Sequence, residues 1–150
     1  MSNGSLPDHN PTIAQEFINF WEAWQQGSQG REVGLRLLFT AWYGLIEPPH
    51  LTGFANDSTT SELLQKVFTE VHETMVPSGM SDPEFLYVVG LMASLSPWLL
   101  GDPDSWEERS AKYRQIYRGL EPGGIDPRIF TGRGSYGEYF EGQAKVKGGY

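Results

Sequence analysis

The sequence contains no cysteine, and this absence excludes disulfide bonds, thiolate metal sites and cysteine nucleophiles. Its three histidines, His9, His50 and His72, are the only imidazoles that a base or a metal ligand can use. No run of about 18 apolar residues occurs, and residues 1–11 lack the basic and apolar regions of a secretory signal. These absences predict a soluble, cytoplasmic protein with no membrane partner.

Positive charge is scarce as well, and it is unevenly distributed along the chain. Residues 1–110 contain 4 Lys and Arg against 15 Asp and Glu, whereas residues 111–150 contain 7 against 4. Nucleic acids and anionic membranes select for an excess of Lys and Arg, but the whole chain has a net charge of −8. The charge therefore favours a protein partner, or a second copy of the chain, over nucleic acid.

What the sequence does contain is a set of helical patterns. Five segments between residues 11 and 120 carry apolar residues at intervals of three and four, and none alternates with the period of a strand. With 150 residues, 39% of them hydrophobic, the chain is large enough for one packed core. We therefore predict an all-α fold, a compact bundle of about five helices.

The same patterns predict helix starts and core residues. Residues that commonly cap a helix precede four of the segments, and they are Asn10, Thr59, Ser81 and either Asp104 or Ser105. The apolar faces of the segments predict a core that includes Phe17, Trp21, Leu38, Trp42, Val67, Phe68, Val89 and Met92.

The C-terminal part of the sequence has a different composition. Half of the 18 glycines lie from Gly119 onward, and glycine disfavours helix. We therefore predict three regions: a polar N-terminal leader (1–10), a helical domain (11–120) and an extended, non-helical arm (121–150) with one turn at 126–130. Aromatic residues are too frequent in this arm for a solvated linker. We expect it to dock on its own body, on a partner protein or on another copy, through Phe130, Arg133, Tyr136, Tyr139 and Phe140.

Gly132, Gly134 and Gly137 have the G-x-G-x-x-G spacing of a dinucleotide or phosphate site. Such a site needs a strand before the glycines and a helix after them, within a unit of about 30 residues. The preceding residues are rich in turn formers, and only 13 residues follow Gly137. We predict no nucleotide and no other cofactor, and expect the glycines to allow positive φ and close packing.

Metal and catalytic motifs are incomplete. His72 and Glu73 begin an H-E-x-x-H pattern that ends at Val76, so we expect His72 to be a solvated helix residue. Two prolines separate Glu47 from His50 and preclude the helix that would aim both at one ion. A last acidic cluster lacks the ligand order of a calcium loop; it comprises Asp102, Asp104, Glu107 and Glu108. We predict no metal and assign no catalytic residue.

Three functions fit these observations. The favoured one is a non-enzymatic interaction or accessory protein, an acidic helical body whose basic, aromatic arm docks on a protein. The second is a helical small-ligand binder, or an enzyme with an unrecognised site. The third is binding of single-stranded nucleic acid by Arg133, Lys145, Lys147 and the tyrosines of the arm, which the acidic body opposes.

Overall fold

The computed structural model describes residues 12–147, and every regular element in that range is helical, which confirms the all-α prediction. Within it no helix has both the length and the apolar character needed to cross a membrane. The α-helices of the described range are α1 (Ile13–Gln25), α2 (Arg31–Ile46), α3 (Pro49–Thr52), α4 (Ser58–Gly79), α5 (Pro83–Leu95), α6 (Pro97–Leu100), α7 (Pro103–Leu120) and α8 (Gly134–Lys147). One 3₁₀ turn (Pro127–Phe130) precedes α8.

The five predicted helices correspond to α1, α2, α4, α5 and α7, but their starts differ from the prediction by a few residues. The observed caps are Thr12, Asp57, Asp82 and Asp102, whose side-chain oxygens accept from backbone N–H groups of the first turn. Two of these aspartates precede a proline at the first helical position. Since proline favours that position and keeps the residue before it extended, the aspartate becomes the cap.

The core lies where α2 packs against α1 and α4, and where α5 packs along α7. Helix α5 is buried on all sides from Glu84 to Ala93, so it occupies the centre of the fold. Of the eight predicted core residues only Trp21 is not fully buried, and it still packs against the core. Because α1 packs mainly on α2, this one neighbouring helix covers only part of the α1 face that carries Phe17, Trp21 and Trp24.

The prediction of a non-helical C-terminal arm is wrong, because residues 134–147 form α8. Each glycine lowers helix stability by about 1 kcal/mol relative to alanine, but packing of an apolar face overrides propensity. That face carries Tyr136 and Phe140, which lie four residues apart, and both are fully buried. The predicted turn at 126–130 is confirmed as the 3₁₀ turn, while the predicted leader (1–10) lies outside the described residues.

Candidate functional site

The C-terminal segment packs on its own body through aromatic rings. Phe130, Tyr136 and Phe140 are fully buried. The ring of Phe39 in α2 lies 5.6 Å from that of Phe140 and 6.1 Å from that of Tyr136, and the ring of Tyr87 in α5 lies 6.3 Å from that of Phe130. Three of the five predicted docking residues are therefore occupied within the same chain.

A buried carboxylate fastens this segment to the body. The side chain of Glu84 in α5 is only 6% exposed. Its Oε1 lies 2.9 Å from Nη2 of Arg31, and its Oε2 lies 2.8 Å from Nη2 of Arg133 and accepts a 2.6 Å hydrogen bond from the hydroxyl of Tyr136. We call Arg31, Glu84, Arg133 and Tyr136 the Glu84 cluster. Charge-assisted bonds of this kind compensate for the burial of a carboxylate.

Arg133 joins this cluster to α2. Its Nη2 lies 2.5 Å from Oε1 of Glu32, and its Nε lies 3.2 Å from Oε2. The hydrogen bond from Arg133 lowers the pKa of the Glu32 carboxyl group. Burial and the charge of Glu84 raise the pKa of the Tyr136 phenol well above its usual range, so the phenol stays protonated and donates. Arg133, one of the predicted docking residues, therefore pairs with two carboxylates of its own chain.

The glycines of the G-x-G-x-x-G spacing have backbone roles. Gly132 and Gly134 adopt positive φ values of 77° and 67°, which favour glycine. A Cβ atom on Gly137 would overlap the backbone carbonyl oxygen of Phe130. A helix does begin at Gly134, against the sequence prediction, but the 3₁₀ turn rather than a strand precedes it. Backbone geometry alone accounts for all three glycines.

His72 is buried, so the prediction of a solvated helix residue is wrong. Its Nε2 lies 2.8 Å from the hydroxyl of Tyr113, and its ring centroid lies 4.9 Å from that of Trp106. Burial, with the nearby charge of Arg109, lowers the pKa of His72 to about 4. The signal was present in the sequence, since His72 continues the row of buried residues that passes through Phe68. Within residues 12–147, no three potential ligands are grouped to hold a metal ion.

No pattern in the sequence marked Trp98, the most exposed tryptophan of the described residues. Trp98 is 62% exposed in the short helix α6, and Leu95, at the end of α5, is 42% exposed. Beside Trp98 lies a groove of about 410 Å³ whose other lining residues include Pro97, Glu107 and Arg114. We call Leu95, Trp98 and this groove the Trp98 surface. The sequence did contain one signal for this exposure, which is that Pro97 interrupts an apolar run. A proline there predicts a turn between two helices, and a side chain in such a turn can stay unpacked.

A second surface feature lies where α1, α2, α3 and α8 meet. It is an open depression of about 350 Å³, which we call the aromatic depression. Tyr139 is half-buried and lines it, so this predicted docking residue does reach the surface. The other residues that line it are Ile13, Phe39, Tyr43, Leu51, Ser135 and Glu138.

No protein-family model matches the chain, and no significant match is found among curated proteins or solved structures.

Proposed function

We propose that this chain is a non-enzymatic interaction protein, an acidic helical body that its C-terminal helix closes and that binds a protein partner through the Trp98 surface. The observation that carries the proposal is the exposure of Trp98. Tryptophan is highly buried on average, and it is the residue most enriched among the energetic anchors of protein interfaces.

The position of Trp98 is fixed by its neighbours. Pro97 and Leu100, on either side of it, are buried. The indole N–H of Trp42 donates a 2.8 Å hydrogen bond to Oγ of Ser96, and the side-chain amide of Gln65 donates to the carbonyl oxygen of Leu99 at 3.1 Å. The side chain thus projects from a well-anchored turn. An anchor of this kind loses little conformational entropy when it binds, which favours affinity.

Charge indicates the character of the partner. The first turns of α7, beside the Trp98 surface, carry Asp104, Glu107 and Glu108, and residues 1–110 have 11 more acidic than basic side chains (15 against 4). Complementary charge accelerates encounter and selects between partners. We therefore propose a partner that offers an apolar pocket for Trp98 within a basic surface.

Affinity capture with matched variants tests this proposal. Trp98→Ser removes the anchor, while Val146→Ser changes a side chain that is 81% exposed in α8 and so serves as the control. We expect one protein to be retained by the wild type and by Val146→Ser, and lost with Trp98→Ser. A set of captured proteins that is the same for all three would contradict the proposal.

The predicted docking through Phe130, Tyr136 and Phe140 can also operate between two copies. If α8 leaves its own body and occupies the same position on another, the buried contacts are kept and a homo-oligomer results. This exchange predicts a dimer in sedimentation analysis that Trp98→Ser leaves unchanged. The Trp98 proposal predicts instead that Trp98→Ser abolishes binding of the partner protein.

A further inference from the structure

We propose that the aromatic depression binds an organic cation, an ammonium or guanidinium group carried by a small molecule or by a side chain of another protein. This inference is independent of the Trp98 surface. It depends on the rings, the charges and the shape of the depression.

Tyr43 and Tyr139 form the accessible aromatic wall of the depression, and the ring of Phe39, which is only 1% exposed, packs behind both. The ring of Phe39 lies 5.2 Å from that of Tyr43 and 5.6 Å from that of Tyr139, and the two tyrosine rings lie 6.0 Å apart. The buried ring of Trp42 supports Tyr139 from inside the protein, at 5.6 Å. Ring faces carry negative electrostatic potential and attract cations. Because the rings already contact one another, a ligand would lie against this wall rather than between the rings.

Carboxylates increase the negative potential of the depression. Glu138 lines it directly, and its described lining includes no Lys or Arg. Burial is the main cause that raises the pKa of the Tyr43 and Tyr139 phenols, and the negative charge of Glu47, the residue that follows α2, raises the pKa of both further. Arg36 of α2, whose guanidinium group lies near Gly134 at the start of α8, pairs with Glu32.

The remaining lining suits the apolar part of such a ligand. Ile13 and Leu51 line the depression, and Leu51 is 58% exposed although it is aliphatic. The volume of about 350 Å³ is within the range of small-molecule sites. An anion would be repelled by Glu47 and Glu138, and a neutral ligand would not use their charge. A methylated or alkylated cation satisfies both the rings and the carboxylates.

Titration of the full chain with choline chloride, followed by NMR, tests the inference. We expect saturable shifts of the resonances of Tyr43 and Tyr139. The neutral isostere 3,3-dimethylbutan-1-ol, which has the same shape without the charge, should bind at least about tenfold more weakly. Equal binding of the two, or no saturable binding of choline, would overturn the inference.

Variants locate the site. Tyr43→Leu removes one ring face, and Glu47→Gln removes one charge without changing shape; each should weaken choline binding by about three- to thirtyfold. Glu62→Gln on the exposed face of α4 is the charge control and should leave binding unchanged. Equal weakening by Glu62→Gln would mean that net charge alone attracts the cation, and would overturn the assignment. If Tyr43→Leu fails to fold, Glu47→Gln still decides.

A further arm distinguishes the two sources of the cation. Peptides that contain one trimethyllysine, and matched peptides with unmodified lysine, are titrated beside choline. Binding of the trimethyllysine peptide at least about tenfold more tightly than choline assigns a protein side chain, because a peptide adds contacts with Ile13 and Leu51. Tighter binding of choline assigns a small molecule. If choline shows no saturable binding, the proposal is overturned whatever the peptides do.

Discussion

Replacement of Tyr136 by phenylalanine removes one hydroxyl group from the contact between α8 and the body, and leaves the ring in place. That hydroxyl donates a 2.6 Å hydrogen bond to the buried carboxylate of Glu84. A hydrogen bond to a charged group contributes about 1.5 to 3 kcal/mol. Because Arg31 and Arg133 still pair with Glu84 in the variant, we expect a loss near the lower end, about 1.5 to 2 kcal/mol.

Urea denaturation, followed by far-UV circular dichroism and by tryptophan fluorescence, measures this loss. The control is Tyr139→Phe, because Tyr139 lies in the same helix, is half-buried and packs on Phe39, Trp42 and Phe140 through its ring, which the substitution keeps. The control should change the free energy of unfolding by less than about 0.5 kcal/mol. A double-mutant cycle with Glu84→Gln should give a coupling energy of about 1 kcal/mol or more. If Tyr136→Phe is no more destabilising than Tyr139→Phe, or the coupling is zero, Glu84 does not fasten α8 to the body.

The remaining predictions concern the glycines, the buried histidine and the C-terminal segment as a whole. Gly137→Ala should lower the melting temperature, because its Cβ meets the backbone of Phe130, whereas Gly142→Ala, which faces open space in the same helix, should stabilise by about 0.5 to 1 kcal/mol. The pKa of His72 is lowered from 6.5 to about 4 in the folded protein, so below pH 6.5 the unfolded chain binds a proton that the folded chain does not. As the pH decreases from 6.5 to 5, this group should therefore lower the free energy of unfolding by about 1 kcal/mol per pH unit, and His72→Gln should remove that slope in denaturation curves. Deletion of residues 125–150 should lower the melting temperature of the monomer and expose apolar surface to a dye such as ANS, since the deletion uncovers Phe39 and Tyr87.

Each of these has an outcome that would contradict it. Equal effects of the two glycine substitutions would refute the role of close packing at Gly137. If the free energy of unfolding depends on pH equally in His72→Gln, groups other than His72 cause that dependence. An unchanged melting temperature after the deletion would favour docking of the segment on another copy over docking on its own body.

The helices of the body could be predicted from the sequence because each depends on local signals. The periodicity of residues such as Phe17 and Phe68 marks a helix and its buried face at once. Helix starts were less accurate, since several residues near each start can cap and the choice depends on the proline that follows, as at Asp82 and Asp102.

Helix α8 and its attachment could not be predicted in the same way. Gly134, Gly137 and Gly142 lower its local propensity, and what stabilises it is burial of Tyr136 and Phe140 against helices distant in sequence. The role of Glu84 was equally hard to predict, because its three partners are distant from it in sequence. They are Arg31 in α2, Arg133 just before α8 and Tyr136 in α8. Long-range pairings of this kind leave no periodic pattern.

Four of the five predicted docking residues lie together in the contact that the C-terminal segment makes with the body of the same chain; they are Phe130, Arg133, Tyr136 and Phe140. Aromatic content and positive charge indicated that residues 125–150 pack on something acidic, which fits the contact of Arg133 with Glu32 and Glu84. Neither signal distinguishes docking of the segment on its own chain from docking on another chain. The exposure of Trp98 depends on how α6 turns between α5 and α7, and only the fold shows it.

Photo-crosslinking at the rim of the Trp98 surface tests the proposed function most directly. A benzophenone amino acid replaces Glu107, an exposed residue of the groove, and in a control it replaces Glu62 on α4. We expect one discrete adduct from position 107, none from position 62, and loss of the adduct when Trp98→Ser is added. An adduct of twice the mass of the chain would identify the partner as a second copy. An adduct that persists in Trp98→Ser, or forms equally from position 62, would contradict the claim that Trp98 binds the partner.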